Sequence, residues 1–278
     1  MRILRAVEMG MCFGVRDALQ LAASVKIPNE VTIHGELVHN PEVNQQLTAR
    51  GFRQQPEDRR HQLPETPVVM ITAHGISNAR TQELQQAGKQ LLDTTCPLVR
   101  RAHEAAADLQ REARHILLIG KRGHVEVSGI VEDLASCTVI ENLNDVATFA
   151  ASRLGVLCQT TTPPDQAEII LAEIHRQNPG SDIRFIDTVC HPTKLRQEAV
   201  RRLLPRVSAM VVVGGVNSNN TQQLVQLCNA ANVPAWQVTS AEELQPAWFE
   251  NITTVGLTAG TSTPDTTIQA VYDALMNL

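Results

Sequence analysis

The stretch "DTTCP" at Asp93–Pro97 returns 94 residues later as "DTVCHP" at Asp187–Pro192. Each copy follows an apolar run and carries an Asp-Thr pair, a cysteine, and a proline suited to the first turn of a helix. The opening "MRILRAVEMGMCFGVRDAL" is a third version, in which an apolar run leads to Cys12, 84 residues before Cys96. The spacing reads as one unit used three times, with a cysteine at the same corner each time. A cysteine that ends a strand and starts a helix has its thiolate favoured by the dipole and by unpaired N–H groups. Thiolates are the protein ligands of iron–sulfur clusters. Packed around a pseudo-threefold axis, such units would bring Cys12, Cys96 and Cys190 to its centre. Three thiolates on a four-iron cube leave one iron open to a substrate oxygen. Small thiols buried at strand ends give the same spacing without a metal, and no CxxC pair decides between the two readings. Cys137, Cys158 and Cys228 break the pattern and read as core.

Other chemistry-bearing residues also follow apolar runs. In "GHVEV", His124 and Glu126 are two apart, which in an extended segment puts both on one side. A carboxyl group in a closed pocket can serve as a proton donor; an exposed loop acid is the alternative. "VNSNNTQQL" and "TSTPD" place short amides and hydroxyls where helices begin, as caps or as an anion site. Together with His39, His74 and the threonines Thr160 to Thr162, they favour an anion such as a diphosphate. His61, His115 and His175 have no supporting context. There is no GxGxxG fingerprint, and "GKRGH" lacks the Gly-Lys-Ser/Thr core of a Walker A loop, so no nicotinamide site is indicated.

The elements that must position these residues alternate. "VTIHG", "PVVMITAHG", "HILLIGKRGH", "LGVLCQTT", "SAMVVVGG" and "TTVGLTAG" read as buried strands. "VRDALQLAASV", "LVRRAHEAAADLQ", "LRQEAVRRLL" and "TQQLVQLCNAA" read as helices, the second with Leu98, Ala102, Ala105, Ala106 and Leu109 on one face. Alternation of this kind predicts parallel sheets with helices on both faces. "FRQQPEDRRHQLPETP", from Phe52 to Pro67, reads as a polar surface connection. Ligands of open parallel sheets bind where strands end, which is where the polar residues fall.

The chain has 278 residues and a formal net charge of −5, with 43% hydrophobic and 19% charged residues. That is ample for a core, and no basic stripe marks a nucleic-acid surface. Arg2 and Arg5 flank a short run unlike a signal peptide, and no apolar stretch approaches the roughly 20 residues of a membrane span. A cytoplasmic address is expected, with the six cysteines as thiols.

The ordered set "GMCFGV", "ELVHNPEV", "TAHGIS", "DTTCPLV", "GHVEV", "QTT", "DTVC…RQEAV", "NSNNT" and "AGTSTPD" resembles the 4-hydroxy-3-methylbut-2-enyl diphosphate reductase family. The motifs run from Cys12 to Asp265. The resemblance implies an α/β trefoil of three pseudo-threefold related parallel-sheet lobes around a central metal site. The lobes are expected at 14–96, 97–189 and 190–278, with strand 1–13 joining the third. It implies a [4Fe-4S] cluster on Cys12, Cys96 and Cys190, whose open iron takes the allylic hydroxyl of the substrate. It implies Glu126 as the acid, Thr160 as the residue that positions it, and His124 in diphosphate binding and proton delivery. His39, His74, Ser218, Asn220 and Ser262 match the other diphosphate ligands. A ferredoxin or flavodoxin is implied as electron donor.

Three departures stand out. Val125 replaces a proline between the histidine and the acid, losing a fixed φ. Asn219 replaces a serine and remains able to donate to phosphate. After Cys190, "HPTKLRQ" replaces smaller residues, although Thr193 keeps its place near the substrate. The rival readings are a quinolinate-synthase-like dehydratase, which would need arginines at the strand ends, a non-catalytic iron–sulfur sensor, and a structural metal site with four closed ligands.

Overall fold

The computed structural model describes residues 1–278. The strands are β1 (Arg2–Arg5), β2 (Val31–His34), β3 (Arg53–Gln55), β4 (Val68–Ile71), β5 (Gln90–Asp93), β6 (His115–Ile119), β7 (Cys137–Ile140), β8 (Arg153–Cys158), β9 (Asp182–Ile186), β10 (Ala209–Val213), β11 (Ala235–Val238) and β12 (Thr254–Ala259). The helices are α1 (Phe13–Ser24), α2 (Pro41–Ala49), α3 (Asn78–Gln86), α4 (Pro97–Arg111), α5 (Val125–Val131), α6 (Pro164–Gln177), α7 (His191–Leu203), α8 (Asn219–Ala230) and α9 (Asp265–Met276).

The strands form three four-stranded sheets, ordered β3-β2-β4-β5, β7-β6-β8-β9 and β11-β10-β12-β1. Every pair is parallel. Written by place within each sheet, the order is always second, first, third, fourth. In the last sheet β1, from the start of the chain, takes the fourth place. By compactness the chain divides into two units. One comprises Met1–Arg16, Val38–Gln46 and His191–Leu278 and holds the β11-β10-β12-β1 sheet; the other comprises Asp17–Leu37 and Leu47–Cys190 and holds the other two.

Past their first residues the central strands are buried at every position, because a parallel sheet covered on both faces buries both sets of alternating side chains. In β6, Leu117 and Ile119 enter a cluster with Val156, Ile170 and Ile174. Their neighbours Ile116 and Leu118 enter another with Ala102, Leu109 and Val127. In β10, Val211 and Val213 pack with Val255, Leu257 and Val271, while Met210 and Val212 pack with Val200, Leu203 and Leu224. All six apolar runs read as strands are the first and third strands of these sheets.

Three local expectations need correction. The buried face of α4 starts at Val99, with Leu98 only partly covered. The segment from Phe52 to Pro67 is not only a connection, since Arg53–Gln55 pairs with β2 as an edge strand. A three-residue edge strand needs one partner and no apolar face, so it has no periodic signal. Cys137 lies on the edge strand β7 and is only partly buried, whereas Cys158 and Cys228 are core. No helix is long and apolar enough to cross a membrane.

One buried polar group makes the fold sensitive to pH. His34, at the end of β2, has Nδ1 2.7 Å from Gln55 Oε1, and Arg80 Nε–H donates to its Nε2 at 3.5 Å. An accepting Nε2 puts the ring proton on Nδ1. Burial above all, then the charge of Arg60 and more weakly that of Arg80, lowers the His34 pKa from 6.5 to about 4. The unfolded chain therefore takes up this proton first as pH falls. The stability His34 lends is intact above the unfolded value and is lost between pH 6.5 and about 4; the loss reaches up to about 3 kcal/mol. Urea denaturation across that window should show a shallower pH dependence in His34→Asn than in the wild type. Equal slopes would refute this assignment.

Candidate functional site

The three cysteines share one backbone hydrogen bond. Cys96 N–H donates to Ala73 O at 3.1 Å, Cys190 N–H to Thr160 O at 2.9 Å, and Cys12 N–H to Thr261 O at 3.0 Å. Each acceptor lies two residues beyond the end of its sheet's third strand: β4, β8 and β12. Each cysteine thus leaves the fourth strand still laddered to the third, and a helix begins at the next residue. Its carbonyl accepts the first bond of that helix in two cases, from Arg16 N–H to Cys12 and from Arg100 N–H to Cys96. The repeated Asp-Thr pair explains the turn. Asp93 Oδ1 accepts from Thr95 N–H, and Asp187 Oδ1 accepts from Val189 N–H. Thr94 Oγ1 donates to Ile71 O and Thr188 Oγ1 to Cys158 O, each at 2.5 Å. All six cysteines are free thiols. Burial pushes the Cys137 thiol up to about 11 and that of Cys228 up to about 12, which disfavours their thiolates.

In the unit that contains Cys96 and Cys190, the remaining candidates are joined by direct contacts. Glu126 is 2% exposed. Its Oε1 accepts from Thr160 N–H at 2.6 Å and its Oε2 from Thr160 Oγ1 at 2.9 Å. Thr160 therefore holds both carboxyl oxygens of Glu126 while its own carbonyl holds Cys190. His124 does not lie in an extended segment with Glu126, as the spacing of two had suggested. It is the N-cap of α5, and its Nδ1 accepts the Glu126 N–H at 3.1 Å. That bond fixes Nδ1 as the acceptor and leaves the ring proton on Nε2. The His74 and His124 rings meet edge to face, with centroids 5.7 Å apart. Arg60 Nη2 supports this cluster by donating to Gly75 O, next to His74, at 3.0 Å.

The unit that contains Cys12 gathers His39, Thr193, Ser218, Asn219, Asn220 and Ser262. Ser218 is the N-cap of α8, its Oγ accepting from Thr221 N–H at 3.3 Å. A serine that accepts at a helix N-terminus keeps its hydroxyl proton for another acceptor. Asn219 is buried in the first turn of the same helix. The side chain of Asn220 braces the loops: Oδ1 accepts from Thr261 N–H at 3.1 Å, and Nδ2 donates to Thr193 Oγ1 at 3.5 Å. Ser262 Oγ donates to the His39 carbonyl at 3.1 Å. A Cβ on Gly215 would lie 2.5 Å from that same carbonyl, so only glycine lets the two loops approach.

Sequence reasoning gave Thr161 no role of its own within the run Thr160 to Thr162, and it passed over Arg196. Thr161 follows Thr160 as His74 follows Ala73 and Ser262 follows Thr261, in each case beside the carbonyl that holds a cysteine. Each of the three stands three residues past the end of its third strand, so the strand ends, not the cysteines, bring them into line. Arg196, buried on α7, had no local signal, because Gly10, which accepts two of its three hydrogen bonds, lies 186 residues away in the chain. No three His, Cys, Asp or Glu side chains converge to hold a single metal ion.

Comparison with known proteins gives a consistent picture. The family described as "LytB protein" matches residues 3–276. A 4-hydroxy-3-methylbut-2-enyl diphosphate reductase of Aquifex aeolicus is 34% identical over 284 residues, covering 99% of this chain and 96% of the relative. The enzyme of that name from Methylibium petroleiphilum is 35% identical, covering 99% of this chain and 85% of the relative. Among solved structures, the E-1-hydroxy-2-methyl-but-2-enyl-4-diphosphate reductase from Plasmodium falciparum superposes with a TM-score of 0.91 at 27% identity, over 99% of this chain and 88% of the other. A second structure, described as that of (E)-4-hydroxy-3-methyl-but-2-enyl diphosphate reductase, the terminal enzyme of the non-mevalonate pathway, has a TM-score of 0.68 at 34% identity over all of both chains.

The Thr160 contacts predict a stability effect without any cofactor. Thr160→Val keeps the shape and the N–H but removes the hydroxyl donor from a buried carboxyl group. It should cost about 1.5–3 kcal/mol in urea denaturation of the metal-free protein, with Thr160→Ser recovering most of it. A Thr160→Val cost below about 0.5 kcal/mol would mean that the hydroxyl does not hold Glu126.

Proposed function

The chain belongs to the LytB protein family, and we propose that it is an oxidoreductase that reductively dehydroxylates 4-hydroxy-3-methylbut-2-enyl diphosphate. Two electrons and two protons release the allylic hydroxyl as water and leave either isopentenyl diphosphate or dimethylallyl diphosphate. The observation that carries this reading is the double role of Thr160. Its carbonyl holds the Cys190 N–H while its own N–H and hydroxyl hold the Glu126 carboxyl group. A thiol suited to an iron–sulfur cluster and a proton donor are thus set by one residue.

The donor set fits the cofactor that the family implies. Cys12, Cys96 and Cys190 are in no disulfide and stand at equivalent helix starts, a soft set suited to iron–sulfur binding. On this reading they hold a [4Fe-4S] cluster through three of its irons. When bound, the cluster supplies the two electrons singly and an open iron for the substrate oxygen. The lobes run 14–96, 97–189 and 190–278, with strand 1–13 in the third; the repeated strand order supports this division. Electrons come from a ferredoxin or flavodoxin, because the sequence has no dinucleotide fingerprint. The reaction is placed in the cytoplasm, where thiols remain reduced.

The chain's own residues divide the remaining work. The rigid Thr160 N–H keeps Glu126 Oε1 an acceptor, so the transferable proton resides on Oε2. There the Thr160 hydroxyl can turn from donor to acceptor as the proton arrives or leaves. His124 Nε2–H points its proton away from the capped helix and serves the diphosphate, with His74 beside it. Ser218 and Asn219 offer donors at the N-terminus of α8, whose dipole favours an anion. His39 and Ser262 flank the same loops, and Asn220 with Thr193 keeps them in place. The strand ends carry histidines, hydroxyls and amides where a dicarboxylate-binding dehydratase would need arginines.

Anaerobically purified protein should contain about four iron and four sulfide per chain, with a visible spectrum that responds to the hydroxylated diphosphate. Glu126→Gln should keep that cluster and lose about 100-fold or more in kcat with a chemical reductant. Sulfide that stays absent after anaerobic reconstitution would rule out the cluster. Full turnover by Glu126→Gln would remove the acid from its role.

A further inference from the structure

Two of the three cysteine turns are fastened by a side chain and the third is not. Two residues before Cys96 and Cys190 stand Thr94 and Thr188, whose hydroxyls donate to Ile71 O and Cys158 O, the last carbonyls of β4 and β8. Two residues before Cys12 stands Gly10, with no side chain and a φ of +78°. Its N–H reaches Ala259 O, the last carbonyl of β12, at a longer 3.3 Å. A threonine could not replace it, since a Cβ there would lie 2.7 Å from Ile268 Cδ1 and the backbone is left-handed.

The opposite side of the same turn carries a residue that the other repeats lack. Six residues after Cys12 and Cys96 come Ala18 and Ala102, both buried; six residues after Cys190 comes Arg196, 5% exposed. Arg196 Nε and Nη2 both donate to Gly10 O, at 3.1 and 2.6 Å, and Nη1 donates to Pro192 O at 3.0 Å. The guanidinium thus clamps a carbonyl two residues before Cys12 to one two residues after Cys190. Burying so large a cation is costly where an alanine suffices twice. The flat fork of an arginine can meet two carbonyls at once, which a lysine cannot.

We propose that Arg196 is a positioning residue for the cluster ligand Cys12: it replaces the missing threonine tie and fixes the direction in which Cys12 Sγ is presented. The inference rests on the iron–sulfur reading above for its consequence, but not for its mechanical part. In the metal-free protein, Arg196→Lys should raise amide hydrogen exchange at Gly10 and Cys12 by about tenfold or more, while the amides of β10 and β12 keep their rates. In the loaded protein it should alter the electron paramagnetic resonance line shape of the reduced cluster. It should also lower kcat by about tenfold and leave KM within about twofold. Arg196→Met, which keeps length and loses every donor, should show the larger change in each readout.

Exchange that rises equally through β10 and β12 would show a general structural role and overturn the proposal. So would an unchanged resonance spectrum together with an unchanged kcat. A wild-type protein that takes up no iron or sulfide would defeat the proposed function instead. The exchange comparison would then still decide whether Arg196 holds the turn.

Discussion

One backbone hydrogen bond, made three times, organises this molecule. The N–H of each cysteine is tied to a carbonyl two residues past the third strand of its sheet. The bond extends the parallel ladder beyond the regular strands, so the cysteine emerges with the stiffness of a sheet and not the freedom of a loop. The next residue enters a helix, which limits the cysteine to one exit direction. The same carbonyls belong to loops that carry His74, Thr160 and Ser262. The bond that positions a thiol therefore also positions a neighbouring polar side chain, and candidate ligand and candidate substrate contact are set together.

Strand order explains why the polar residues gather where they do. In each sheet the first strand lies between the second and the third, so the chain reverses its lateral direction there. Loops that leave the first and third strands diverge and open a crevice at the carboxyl ends. His124 and Glu126 follow β6, Ser218 and Asn220 follow β10, Thr160 follows β8 and Ser262 follows β12. The cysteines follow the fourth strands, beside this crevice. The topology thus separates two sets of residues: the histidines, hydroxyls, amides and Glu126 that follow the first and third strands, and the cysteines that follow the fourth.

Electrostatics then refine what topology places. Glu126 is buried, and both its carboxyl oxygens have donors from Thr160. His34, equally buried, is kept neutral by its surroundings and spends both ring nitrogens on Gln55 and Arg80. The two groups show why burial alone does not identify a functional residue. What separates them is their partners: Glu126 is joined to a cysteine through Thr160, whereas His34 is fastened to structural side chains.

The sequence by itself determined a good deal. The three cysteine corners, the six central strands and the helices that follow the cysteines were legible, because continuous apolar runs, helix periodicity and helix-start chemistry act between near neighbours. The Asp-Thr repeat was visible as a pattern, but its meaning was not: the aspartate closes a local turn, while the threonine reaches a different strand. The edge strands β3, β7 and β11 were not legible, since a strand with one neighbour needs little apolar surface. Tertiary structure alone decided that His124 caps α5, that Thr160 holds a carboxyl group 34 residues away, and that Arg196 reaches Gly10 across 186 residues. It also set the register in which the first strand of the chain pairs with β12. Hydrogen bonds of this kind depend on which backbone and side-chain atoms share a place in space, and no local pattern in the chain encodes that meeting.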